Sequence, residues 1–185
     1  KQDKGAKGDQ IVVETLAGEP GDTLELKDVL MIGGAGGVGS IAIQIASKLA
    51  KLKVIATASR KESREWCLKF GANNVINHHN SLVEELTALG INKVDYIFCL
   101  NNTDQHWAMM AKVIAPQGRI CSIVETEKPV DLGALKKKSA TFVWELMFTR
   151  PMYQTADIIE QQRLLNTIAD LVDNEELVTT VNQVI

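Results

Sequence analysis

Five glycines fall within ten residues at MIGGAGGVGS, Met31 to Ser40, directly after an apolar run. Glycine costs roughly 0.5–1 kcal/mol relative to alanine inside a regular element, so such a cluster implies that something comes closer to this backbone than a side chain allows. Gly34-Ala35-Gly36-Gly37-Val38-Gly39 satisfies G-x-G-x-x-G. Between a strand and a helix, that spacing serves a diphosphate. Gly34 is expected to permit the tight turn, Gly36 to let a pyrophosphate approach, and Gly39 to let the helix pack on the strand. Amide N–H groups of the first helical turn, at the positive end of the helix dipole, then hold the phosphates. A glycine turn needed only for helix–strand packing is the alternative.

A second group of candidates lies where the next strand ends. NAD sites place Asp or Glu about 20 residues past the loop, to bind the ribose 2′-hydroxyl. Here the strand ends Ala56-Thr57-Ala58-Ser59-Arg60-Lys61, with no carboxylate before Glu62. A hydroxyl, a guanidinium and an ammonium attract a 2′-phosphate, so the pattern favours NADPH over NADH. Cations at a helix start oppose the helix dipole, which argues against Arg60 and Lys61 as a merely solvated first turn.

Other chemistries fit less well. The loop lacks the Lys-Ser/Thr ending of a nucleotide-triphosphate P-loop. Tyr96 is followed four residues on by Leu100, and Tyr153 by Asp157, so neither forms the Tyr–Lys pair of short-chain dehydrogenases. An S-adenosylmethionine-dependent methyltransferase would want an acidic residue where Ser59 stands. Paired carboxylates and a Ser/His/Asp arrangement are both lacking, and Asp104 beside His106 reads as a helix cap. No catalytic residue is named.

The elements that must position these residues alternate. Apolar strands are expected at 28–32, 53–58, 74–77, 94–100, 119–124 and 140–146, and helices at 38–50, 61–70, 81–89, 103–115 and 155–173. Gly71 reads as a left-handed cap, Ser81 with Glu84 as a capping box, and Pro116 as the stop of the fourth helix. Strands apolar on both faces, alternating with helices, indicate a doubly wound parallel α/β sheet (a Rossmann fold) with helices on both faces. Residues 28–185 are assigned to this nucleotide-binding domain. Residues 1–27 read as a polar tail followed by an irregular or hairpin segment around Pro20-Gly21.

Of the 185 residues, 45% are hydrophobic and 23% charged, with a formal net charge of −3. These values suit a globular protein and disfavour nucleic acid or anionic membrane as partners. No apolar run reaches the roughly 18 residues of a membrane span. Cys67, Cys99 and Cys121 are widely spaced, as expected of buried thiols in a reducing, cytoplasmic setting.

Together GGAGGVGSIAIQIA, VIATASRKES, GANNVINHH, TDQHW, GRICSI and WELMFTRPMYQTADIIEQQRLLN resemble the medium-chain dehydrogenase/reductase superfamily, near the zinc-type alcohol dehydrogenase-like proteins and quinone oxidoreductases. The match runs from about Val29 to Asn174. It implies an NADPH-dependent oxidoreductase delivering hydride from nicotinamide C4 to a quinone, an enone or another activated carbonyl. On this resemblance Ala35 to Val38 lie on the pyrophosphate and Ser59, Arg60 and Lys61 on the 2′-phosphate. Asn77 and His78 lie near the adenine ribose, and Asn101, Ser122 and Ile123 line the route to the nicotinamide. Plain loop histidines are the alternative for His78 and His79, an equal reading for His79, and Trp107, Trp144 and Phe148 read as core or interface aromatics. The sixth strand is expected at a homodimer interface. The family's amino-terminal barrel, which carries the substrate pocket and any zinc ligands, has no convincing match in residues 1–27. A fragment covering the cofactor domain is therefore expected, with zinc only through the missing barrel. A non-catalytic module that senses NADPH would share every feature above.

Overall fold

The six runs expected as strands between Asp28 and Trp144 form one parallel sheet. The computed structural model describes residues 27–181, so the tail and hairpin readings of residues 1–26 lie outside it. The strands are β1 (Asp28–Ile32), β2 (Lys53–Thr57), β3 (Asn74–Ile76), β4 (Val94–Cys99), β5 (Ile114–Ser122) and β6 (Thr141–Trp144). Their order is β3-β2-β1-β4-β5-β6. Between them run α1 (Gly37–Gln44), α2 (Lys61–Lys69), α3 (Leu82–Ala88), α4 (Thr103–Val113) and α5 (Gly133–Lys136). Val29, Met31, Val54, Ala56 and Val75 pack with Ile43, Cys67 and Phe70 on one face. Leu30, Ile32, Ile55, Ile97 and Ile120 pack with Leu82, Leu86, Trp107 and Met110 on the other. This division explains why the strands lack a polar side.

Local chemistry accounts for most boundaries. Gly71, at φ +110°, closes α2 as expected. The Ser81 hydroxyl accepts the Glu84 N–H at 3.4 Å and opens α3. The first helix ends sooner than its periodicity suggests, with a π-helical turn over Ile45–Leu49. The fourth helix departs at both ends. Asn102, in the left-handed region at φ 46°, caps α4 and accepts the Gln105 N–H at 3.1 Å. Asp104 is therefore not the cap; its carboxylate accepts the Glu127 N–H at 2.8 Å. At the far end α4 stops at Val113 and β5 begins at Ile114, earlier than 119. Proline disfavours helical geometry in the residue before it and has no N–H, so Pro116 acts upstream as well as at its own position. Lys138 completes that end, its Nζ donating to the carbonyls of Ala111, Lys112 and Ile114 at 2.9, 2.7 and 2.8 Å.

The chain divides into two compact units. One holds the sheet and its helices, described from residue 27 to 145 together with 179–181. The other, residues 146–178, holds α6 (Thr149–Tyr153) and α7 (Ile159–Asp173). The long helix begins at Ile159 rather than 155, because Asp157 accepts bonds from Arg150 Nε at 3.1 Å and Thr155 Oγ1 at 2.6 Å, holding the preceding residues in a turn. Among the described residues no helix is long and apolar enough to cross a membrane.

Candidate functional site

Parallel pairing lines up the carboxyl ends of the strands. Ile32 pairs with Cys99, Cys99 with Ser122, and Ser122 with Trp144, while Thr57 pairs with Ile76. The glycine loop, Ser59 to Lys61, Asn77 to His79, Asn101 and Ile123 all follow directly, so the topology brings these candidates to one edge of the sheet. Chain order reverses between β1 and β4. That switch point is where open α/β sheets leave a crevice for ligands.

The loop's glycines divide the work differently from expectation. Gly33, not Gly34, makes the turn, at φ +90°. Its N–H donates to Thr57 Oγ1 at 3.0 Å. A Cβ on Gly33 would lie 3.4 Å from that of Asn101, which sets Asn101 against the turn. Gly34 is a packing residue: a Cβ there would come within 2.8 Å of Ala56 Cβ and 3.3 Å of Cys67 Sγ. Gly39 packs as expected, since its Cβ would meet the Gly34 and Gly33 carbonyl oxygens at 2.5 and 2.6 Å. Gly36 and Gly37 differ in kind. A Cβ on Gly36 would find only the Gly33 oxygen at 3.7 Å, and one on Gly37 would find nothing within 4 Å. Helix packing does not require either glycine. Gly36 caps α1 without a side chain, and the N–H groups of Gly37 and Val38 find no acceptor among the described residues.

Ser59 is half-buried just past β2. Arg60 is the exposed N-cap of α2, and its side chain does not cap the helix. Lys61 pairs with Glu65 at 3.9 Å, with both side chains mostly in solvent, a contact worth little. The guanidinium of Arg60 has no ion-pair partner among the described residues. Two cations thus stand beside the loop with little internal charge compensation.

A carboxylate absent from the sequence reading organises the next segment. Glu85 of α3 accepts the Asn77 N–H at 3.2 Å and Asn80 Nδ2 at 2.6 Å. The Asn80 and Asn77 bonds hold its carboxyl below the usual range. Asn77 Oδ1 accepts the His79 N–H at 3.0 Å. His78 is half-buried with its ring 4.5 Å from that of His79; burial first, and the neighbouring charge second, push its pKa down.

Ser122 ends β5. It is fully buried, and its hydroxyl lies 2.7 Å from that of Thr103 and donates to the Cys99 carbonyl at 3.3 Å. That side chain anchors the end of β5. Ile123 stays half-buried, its N–H donating to the Cys99 carbonyl at 3.2 Å. A cleft of about 430 Å³ opens here, lined in part by Asn101, Asn102, Asp104, Val124 and Glu125.

Burial raises the thiol pKa of Cys67 to about 11 and also raises that of Cys99. Cys121 is only half-buried. His106 is buried in α4, and desolvation lowers its pKa. Trp107 is buried, whereas Trp144 and Phe148 are exposed. Among the described residues no three of His, Cys, Asp and Glu are grouped to hold a metal.

Comparison with known proteins agrees with this architecture. Residues 37–161 match the zinc-binding dehydrogenase family. A zinc-type alcohol dehydrogenase-like protein of Staphylococcus aureus is 48% identical over 160 residues, covering 86% of this chain and 48% of the relative. The crystal structure of a Rhizobium etli protein named as a zinc-dependent alcohol dehydrogenase superposes with a TM-score of 0.79 at 48% identity, over 83% of this chain and 44% of that one. The Escherichia coli quinone oxidoreductase, solved with NADPH, gives a TM-score of 0.70 at 26% identity over 84% of this chain and 48% of the other. The chain spans about half the length of the curated relatives it matches.

Proposed function

The chain belongs to the zinc-binding dehydrogenase family, within the medium-chain dehydrogenase/reductase superfamily, and from that premise we propose that it is the NADPH-binding domain of an oxidoreductase. One observation carries the proposal: a helix start at the sheet's switch point, where Gly36 and Gly37 leave the backbone open and two N–H groups lack acceptors. A diphosphate suits those amides, and the positive end of the α1 dipole favours its charge. Arg60 and Lys61, with the Ser59 hydroxyl, would hold the 2′-phosphate. Asn77 and His78, on the loop pinned by Glu85, would flank the adenine ribose. Asn101, Ser122 and Ile123, at the ends of β4 and β5, would line the nicotinamide end.

When bound, the nicotinamide supplies hydride, and a quinone, enone or other activated carbonyl is the proposed class of acceptor. This chain's part is binding, alignment and exclusion of water. A metal finds no ligand set among the described residues, and no step of the proposal uses one. β6 is the last strand of the sheet, and its exposed Val143 and Trp144 support a homodimer through that edge.

Calorimetry with NADPH and NADH tests the phosphate assignment. NADPH is expected to bind more tightly, with Arg60→Ala removing most of the difference; equal affinities in the unmutated protein refute it. The rival, a module that senses NADPH without turnover, is separated by assaying the complete gene product with quinones and enones.

A further inference from the structure

Trp66 lies on α2, outside the glycine loop, yet it is wired to the loop's central peptide. Its indole Nε1–H donates to Ser40 Oγ at 2.8 Å. The Ser40 hydroxyl donates in turn to the Gly36 carbonyl at 2.8 Å, and the Ser40 N–H reaches the same oxygen at 2.9 Å. Ser40 itself is buried, and both bonds are partly shielded from water. The indole is itself held, edge-on to Phe70 with ring centroids 4.7 Å apart.

The consequence follows from peptide planarity. The Gly36 C=O and the Gly37 N–H belong to one planar trans unit and point in opposite directions. Fixing the carbonyl inward, toward Ser40, therefore fixes the Gly37 N–H outward. A glycine flanked by another glycine has little else to restrict its rotation. Neither residue has a side chain to hold the peptide, so the restraint comes from Ser40 of α1, whose hydroxyl is in turn oriented by Trp66 of α2.

We infer that Trp66 is a positioning residue for dinucleotide binding, acting through Ser40 to present the Gly37 amide to the pyrophosphate. The inference rests on the proposed NADPH site and adds what prepares it for the ligand. Preorganisation of this kind reduces the ordering cost of binding. The relay serves only the diphosphate, which NADPH and NADH share, and not the 2′-phosphate subsite.

The test is calorimetry on the 185-residue chain and on its Trp66→Phe and Ser40→Ala variants, using NADPH, NADH and adenosine 2′-monophosphate. Trp66→Phe keeps an aromatic ring at this position while removing the N–H donor and part of the indole's bulk. Loss of one such bond is expected to weaken NADPH and NADH alike by roughly three- to tenfold. Binding of adenosine 2′-monophosphate, which has no diphosphate, is expected to stay unchanged. The double variant is expected to be no weaker than Ser40→Ala alone, because the two share one relay. Unchanged dinucleotide affinity in Trp66→Phe overturns the inference. Equal losses for all three probes also overturn it, since a general disturbance of α2 would act that way. If Trp66→Phe fails to fold, Ser40→Ala carries the same comparison. An unmutated chain that binds neither dinucleotide overturns the NADPH reading itself, and the relay with it.

Discussion

Placing one methyl group at two positions in the loop separates packing from ligand approach. At Gly39 the added Cβ would sit 2.5 Å from the Gly34 oxygen, 2.6 Å from the Gly33 oxygen and 2.7 Å from the Gly34 carbonyl carbon. Carbon contacts favour about 3.5–4.0 Å, and these neighbours are backbone, which cannot rotate away. Overpacking costs typically 1–3 kcal/mol, and the rigid backbone of two adjacent carbonyl groups puts Gly39→Ala near about 3. Alanine returns about 1 kcal/mol through helix propensity, leaving a net loss of about 2 kcal/mol. For a chain of this size that lowers Tm by roughly 4–8 °C. At Gly37 no protein atom lies within 4 Å of the added carbon, so only the propensity gain acts and Tm holds or rises by up to about 4 °C. Affinity for NADPH is expected to fall at least roughly tenfold in Gly37→Ala, about 1.4 kcal/mol, because the methyl stands where the phosphates approach. Thermal unfolding followed by circular dichroism, with calorimetric titration of each variant, reads both effects. Undiminished NADPH affinity in Gly37→Ala, or an unchanged Tm in Gly39→Ala, would refute the division of labour.

The remaining predictions concern groups outside the loop. Lys138→Met removes three hydrogen bonds to the carbonyls that end α4 and, discounted for partial exposure, is expected to cost about 1–2 kcal/mol in urea unfolding. Glu85 has a carboxyl held below its ordinary value of 4.5, so its stabilisation is present above that pH and fades as pH falls through the lowered value. Unfolding midpoints from pH 6 to pH 3 should therefore fall less steeply in Glu85→Gln; parallel curves would count against the Asn77–Asn80 brace. Trp144→Glu places a charge on the exposed edge strand and is expected to shift sedimentation from dimer to monomer. An unmutated chain already monomeric at micromolar concentration removes the dimer proposal.

Sheet and helices were legible in the sequence because their signals are local. An apolar run such as DVLMI can sit comfortably only in a strand covered on both faces. Ser81 with Glu84, and Gly71 after a helical segment, mark ends within a single turn. The candidate site was legible in outline for the same reason, since a glycine-rich turn and the residues just after β2 announce themselves by type and spacing. What escaped depends on partners far away in the chain. Gly33 turns with its N–H on Thr57, 24 residues on. Trp66 reaches back 26 residues to Ser40, and Ser122 meets Thr103 across 19. Asp104 looked like a cap because it stands at a helix start, but Glu127, 23 residues away, offered it a backbone donor. Periodicity reports which face of an element is apolar. It carries no record of which hydroxyl, indole or amide another element will bring within 3 Å, and only parallel pairing and helix packing in the folded chain settle that.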